Sequence, residues 1–273
     1  MKLTVVGTGL MGSSFVLAAR QADLFSDIQG VEPDPESAKQ ALALGIVDSL
    51  SDAPASDSDL VLIASPSDMV AGWVDLLRAH KGIVFDVGSI KAPILDQLRG
   101  TSEGIPPRYV PCHPIAGSEL SGPGAADVNL FRGRNVVITP ASETDQHSVD
   151  VIRGLWAALG AQTLCMPAVE HDQKLALTSH LPHFLAFAYM HAIDPADRPF
   201  AGGGFRDFSR IAGSTPSMWS RIFTLNRQAL RASLADFKTH LEAMDQALEQ
   251  DDQQLLLDLI EQASAIRQRF RDD

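Results

Sequence analysis

The side chain best suited to move a proton in this sequence is His113, set between prolines in Tyr109-Val110-Pro111-Cys112-His113-Pro114. The run begins like a strand and passes into a small polar turn, Ile115-Ala116-Gly117-Ser118-Glu119. Pro111 and Pro114 fix their own φ and restrict the residues before them. We therefore expect His113 on a stiff loop just past a strand, placed as an acid or base. A histidine hydrogen-bonded inside the core is the alternative use of this position. Cys112 is not its partner, because neighbours in extended chain point to opposite faces, which removes a Cys–His nucleophile.

Further candidates lie on either side. Ser89, in Asp86-Val87-Gly88-Ser89-Ile90-Lys91, offers a hydroxyl that either reaches a ligand or caps the following helix. Lys91 reads as a solvent-facing helix lysine. Ser179-His180-Leu181-Pro182-His183-Phe184 carries two histidines, with Asp172 upstream. A metal is not expected there, since the i,i+3 pair straddles a proline and has no third ligand at recognisable spacing. One of the two histidines is expected at a pocket and the other in a structural role. Arg210 sits among apolar residues in Phe208-Ser209-Arg210-Ile211-Ala212, so it either holds a structural carboxylate such as Asp207 or clamps a substrate carboxylate. Trp219 reads as packing.

These side chains need a scaffold, and the first residues name one. A β-branched run over 3–7 leads into Gly7-Thr8-Gly9-Leu10-Met11-Gly12, and Ser13 to Arg20 has helical character. In this G-x-G-x-x-G, Gly7 serves the tight turn, Gly9 lets a pyrophosphate approach the backbone, and Gly12 lets the helix pack on the strand. The pyrophosphate would rest on the free N–H groups of the helix start. Glu32 ends a second strand (27–31), 20 residues after Gly12, where a carboxylate would grip the ribose hydroxyls of an adenosine. Pro33, Asp34 and Pro35 follow, with no cation for a 2′-phosphate, so NAD is favoured over NADP. The expected cofactor-binding residues are Gly7, Gly9, Leu10, Met11, Gly12, Glu32 and Ser65, the last directly after a buried strand over 60–64.

Alternation continues with a helix over 68–79, strands over 82–86, 109–112 and 135–139, a helix over 145–159, and a strand over Gln162 to Met166. Strands following helices at these intervals indicate a parallel sheet wound on both faces. Beyond Pro167 no strand run occurs, and apolar-periodic stretches cover 169–193, 216–231 and 233–270. The expected fold is α/β: a Rossmann-type, doubly wound, mostly parallel sheet in 1–166, then an all-helical domain in 167–273. Ligands bind such sheets at the carboxyl ends of the strands, where Ser89 and His113 fall.

The formal net charge of −12 over 273 residues argues against nucleic-acid or anionic-membrane partners. Two cysteines without CxxC spacing exclude a disulfide framework and point to a reducing compartment. With no signal-peptide pattern and no stretch of membrane-spanning length, the expected location is the cytoplasm.

Taken in order, the glycine loop, Asp86 to Lys91, His113 to Glu119, Ser179 to Phe184 and Gly203 to Ala212 resemble the prephenate (or arogenate) dehydrogenases of tyrosine biosynthesis. The resemblance runs from residue 3 to about 230. It implies an NAD-dependent oxidative decarboxylation of a cyclohexadienyl substrate: hydride leaves C4, CO2 leaves C1, and the ring becomes aromatic. It implies that His113 takes the proton of the C4 hydroxyl and that Ser89 holds that hydroxyl in line. His183 and Arg210 line the substrate side, Arg210 binding a carboxylate, with Gly117 and Ser118 beside them. The family also implies a homodimer. Ile115 and Ser118 stand where many relatives carry Met and Thr, which leaves prephenate and arogenate both open. The chain ends at Asp273 just after its last helix, so no added regulatory domain is expected. The competing expectations are a β-hydroxyacid dehydrogenase, for which Lys174 lacks the Gly/Asn-rich setting, a pyrroline-5-carboxylate reductase, or a non-catalytic NAD-binding protein.

Overall fold

The computed structural model describes residues 1–118 and 120–270; Glu119 and the last three positions of the expected helical domain lie outside the described residues. The aliphatic runs pair into one eight-stranded sheet in the order β3-β2-β1-β4-β5-β6-β7-β8. The strands are β1 (Lys2–Val6), β2 (Asp27–Val31), β3 (Ser49–Leu50), β4 (Leu60–Ile63), β5 (Ile83–Asp86), β6 (Tyr109–Pro114), β7 (Asn135–Ile138) and β8 (Gln162–Cys165). All neighbours are parallel except β6 and β7. Every residue of β4 and β5 is buried, as central strands covered on both faces require.

Helices α1 (Leu10–Gln21), α2 (Pro35–Ala43), α3 (Val70–Leu76), α4 (Ala92–Arg99) and α5 (Gln146–Ala158) accompany this sheet. Phe15, Phe85 and Phe131 each meet Trp156 edge to face in one core, and Phe15 packs tilted against Phe85. Val6, Ile63, Val84, Leu95, Leu98 and Tyr109 belong to a second. This is a Rossmann-type, doubly wound, mostly parallel fold, and the chain after it is helical: α6 (Ala168–Leu175), α7 (Leu181–Met190), α8 (Gly203–Ser209), α9 (Pro216–Leu225), α10 (Arg227–Glu249) and α11 (Gln253–Gln268). By its contacts the chain forms two compact units, one ending at Asn226 and the other beginning at Arg227. Among the described residues no helix is long and apolar enough to cross a membrane.

Several expectations are corrected. His113 lies inside β6 and not on a loop past it: it pairs with Val137 of antiparallel β7, and Thr139 N–H donates to Pro111 O at 3.0 Å. The proline-flanked run is thus held by a ladder as well as by its rings. Strand β3 is an addition, two residues paired with β2. The helix expected over 68–79 is only the short α3. The stretch over 216–231 breaks at Asn226, and that over 233–270 breaks at 250–252, where Asp251 has φ 52° and Asp252 caps α11 by accepting from Leu255 N–H. The stretch over 169–193 is interrupted by a π turn over Ala176–His180. Pro182 lacks the N–H that a regular turn would use, and the helix widens just before it.

Candidate active site

The glycine loop leaves β1 for α1 in the conformation its composition allows. Gly7 has φ 94°, which favours glycine. A Cβ on Gly12 would lie 2.1 Å from Gly7 O, so only glycine lets α1 pack this closely. At Gly9, the N-cap of α1, nothing among the described residues lies within 4 Å of such an atom, and none of their side chains caps the helix. Glu32 is fixed against this loop: one carboxylate oxygen accepts from Thr8 N–H at 2.7 Å and Thr8 Oγ–H at 3.2 Å, the other from Asp34 N–H at 3.1 Å. Ser65 Oγ, at the carboxyl end of β4, is buried without a partner among the described residues. Leu10 and Met11 are half-buried on the first turn of α1. An uncapped helix start, an open Gly9, an orphaned hydroxyl and a positioned carboxylate fit a dinucleotide's pyrophosphate and ribose.

Beyond β5 the polar groups interlock. Asp86 is fully buried and accepts from Lys91 Nζ, from Tyr109 Oη–H at 2.8 Å and from Gly88 N–H at 2.8 Å. Lys91, expected in solvent, is instead fully buried, because Asp86 supplies the charge its ammonium needs. Ser89 does not cap the next helix; Lys91 is the N-cap of α4 and provides no side-chain bond. The cap comes from α6: Asp172 accepts from Lys91 N–H at 3.0 Å and from Ala92 N–H at 2.8 Å. Ser89 itself is half-buried, with its N–H on Ser67 Oγ at 3.2 Å and its hydroxyl unbonded among the described residues.

His113 Nδ1 lies 2.8 Å from His171 Nε2, and His171 Nδ1 lies 2.7 Å from Asp172 Oδ1. His113 Nε2 bonds to nothing among the described residues. Burial, reinforced by His171, Lys91 and His180, holds His113 well below the ordinary histidine value, so it is a neutral imidazole at neutral pH. Asn226 closes the cluster, donating from Nδ2 to Asp172 O at 2.8 Å and contacting His180 Nδ1 at 3.0 Å. His180 is buried and pushed down to about 4 by desolvation. His183 is half-buried, donates from Nδ1 to Ser179 O at 2.9 Å, and stacks on Trp219 with ring centroids 3.7 Å apart. Its pKa is also lowered, by burial first and by Arg210.

The structure bonds His113 directly to His171 of α6, with His180 of the π turn acting on it, while His183 makes no hydrogen bond to His113 among the described residues. His171 was missed altogether. Its signal was the His171-Asp172 dipeptide, whose carboxylate precedes buried Ala176 and His180 at four-residue spacing and so faces the packed side of the helix. Arg210 is exposed in the turn after α8, and among the described residues no carboxylate, Asp207 included, lies within ion-pair reach of it. Gly117 and Ser118 are exposed on the loop after β6, where Ser118 Oγ accepts from Leu120 N–H at 3.1 Å; neither bonds to the histidine cluster. Cys112 is buried in the core and its thiol is pushed well up by burial. Lys174 is exposed and pairs with Glu170 at 3.3 Å. Among the described residues no group of three His, Cys, Asp or Glu is arranged to hold a metal ion.

Comparison with known proteins bears on both halves of the chain. Residues 15–165 match the family model "Prephenate dehydrogenase, nucleotide-binding domain", and residues 167–262 match "Prephenate dehydrogenase, dimerization domain". The prephenate dehydrogenase of Bacillus subtilis is 33% identical over 270 residues, covering 92% of this chain and 72% of the relative. The cyclohexadienyl dehydrogenase of Zymomonas mobilis is 29% identical over 286 residues, covering 99% and 96%. A crystal structure of prephenate dehydrogenase from A. aeolicus with hydroxyphenyl propionate and NAD+ superposes with a TM-score of 0.91 at 29% identity, covering 99% of this chain and 98% of that one.

Proposed function

The chain belongs to the prephenate dehydrogenase family, and we propose that it catalyses NAD-dependent oxidative decarboxylation of prephenate, arogenate or both, in tyrosine biosynthesis. The observation that carries the reading is His113: a neutral imidazole on a strand of the dinucleotide-binding sheet, with Nδ1 engaged and Nε2 open. NAD supplies the hydride acceptor when bound, held by Gly7, Gly9, Leu10, Met11, Gly12, Glu32 and Ser65. His113 accepts the proton of the C4 hydroxyl as hydride leaves that carbon and returns it to the same oxygen once CO2 has left C1. No net proton is consumed, and aromatisation drives the step. Ser89 orients the hydroxyl, while His183, Arg210, Gly117 and Ser118 line the substrate side, with Arg210 facing a carboxylate. What these residues contribute is orientation and a placed base.

The domain division we assign falls near residue 166, supported by the two family matches meeting there. A homodimer is supported by the dimerization-domain match and by exposed apolar side chains on α10 and α11, among them Leu241, Leu248, Leu257, Ile260 and Ile266. The absence of a membrane-spanning helix among the described residues and the two cysteines without CxxC spacing support a cytoplasmic location. The direct test is NADH absorbance from purified protein with NAD and each substrate, beside His113→Asn. Turnover by the wild type is expected, with kcat of the variant lower by about 10²-fold or more and little change in NAD affinity. Absence of NADH with both substrates overturns the reading.

A further inference from the structure

We propose that His171 is a positioning residue: with Asp172 behind it, it fixes His113 in the tautomer that leaves Nε2 free to accept a proton. The inference rests on the assignment of His113 as base and goes on to say how that base is prepared. Asp172 lies in a cap, where it accepts from Lys91 N–H and Ala92 N–H, so it meets His171 as an acceptor. His171 Nδ1, 2.7 Å away, is therefore a donor, and a neutral His171 keeps its lone pair on Nε2. With His171 neutral, that lone pair faces His113 Nδ1 at 2.8 Å, and the hydrogen between the two rings belongs to His113. A neutral imidazole with hydrogen on Nδ1 has its lone pair on Nε2.

The same bonds hold the ring in place. His113 comes from β6, and His171 and Asp172 from α6, which is tied to the start of α4 through Asp172. When His113 takes a proton, its Nδ1–H still points at His171 Nε2, with the Asp172 carboxylate beyond it. The other charged or titratable groups acting on His113 are Lys91, from the loop after β5, and His180, from the π turn. Both oppose a positive charge there, as does His171 itself.

The test is the ring tautomer, read by long-range 1H–15N correlation on full-length protein labelled at its eight histidines, with assignments from single variants. At neutral pH, His113 and His171 are both expected to carry hydrogen on Nδ1. In His171→Leu, His113 should shift towards hydrogen on Nε2. The same change should lower kcat by on the order of 10²-fold, with KM for NAD and substrate within about twofold. His171→Gln, which can still offer an oxygen acceptor to His113, should recover part of both effects. Hydrogen on Nε2 of His113 in the wild type overturns the proposal, as does a His171→Leu variant with unchanged tautomer and kcat. If His171→Leu fails to fold, the wild-type tautomer and the Gln variant decide. The spectra need no substrate, so inactivity of the wild type would remove the functional reading and leave this one to be judged by its tautomer.

Discussion

Lys91 and Asp86 form a fully buried ion pair at the carboxyl end of β5. The carboxylate is further satisfied by Tyr109 Oη–H and Gly88 N–H. Such a pair is costly to break from one side, because the remaining charge stays desolvated; the typical loss is about 3–5 kcal/mol. Lys91→Met is expected to lower unfolding stability by about that much in urea. Adding Asp86→Asn to it should restore most of the loss. A Lys91→Met protein as stable as wild type would show that the pair carries no such weight.

Glu32 predicts cofactor choice. Its carboxylate is already held by Thr8 and Asp34 at the place an adenosine ribose would occupy, so a 2′-phosphate would meet fixed negative charge. Like-charge contact of a few kcal/mol corresponds to roughly 100-fold or more in kcat/KM. NADP is expected to fall below NAD by at least that ratio, and Glu32→Ala should narrow it chiefly by weakening NAD. Equal kcat/KM for the two cofactors in the wild type would refute the assignment.

Much of the scaffold was legible because its signals are local. Gly7, Gly9 and Gly12 lie within one turn, and the buried runs at β1, β4 and β5 declare a parallel sheet by composition alone. The site was legible only where one residue's setting sufficed, as with the prolines around His113. It failed where the partner is distant. Lys91 looks like any helix lysine until Asp86 and Tyr109 close over it, and Asp172 looks like a stray ligand until it reaches Ala92, 80 residues away. His171 drew no notice, because a histidine gains its meaning from what lies at its two nitrogens. Here those are His113, 58 residues away, and the neighbouring Asp172.

Arg210 is exposed and has no carboxylate in reach among the described residues, yet it acts on half-buried His183. A guanidinium in that state is suited to an incoming carboxylate. Losing a charged hydrogen bond costs about 1.5–3 kcal/mol, or roughly 10- to 100-fold in affinity. Arg210→Gln is therefore expected to raise substrate KM by about that factor with little change in kcat or stability. An unchanged KM would place Arg210 outside the substrate site, and a drop in unfolding midpoint would make its role structural.

His180 makes stability depend on pH in a direction fixed by its surroundings. Burial lowers its pKa from 6.5 to about 4, and its Nδ1 faces the Asn226 side-chain amide. Above 6.5 it is neutral both folded and unfolded, so it costs nothing. As pH falls, the unfolded chain takes up the proton first, and stability is lost progressively between 6.5 and about 4, below which both forms are charged. The loss across that window is on the order of 3 kcal/mol. His113, lowered by its own burial, adds to the loss in the same direction. His180→Asn keeps an acceptor for Asn226 and removes the titration, so urea midpoints measured above 6.5 and near 4 should converge relative to wild type. An unaltered pH slope in that variant would mean that other groups, His113 among them, govern the acid limb.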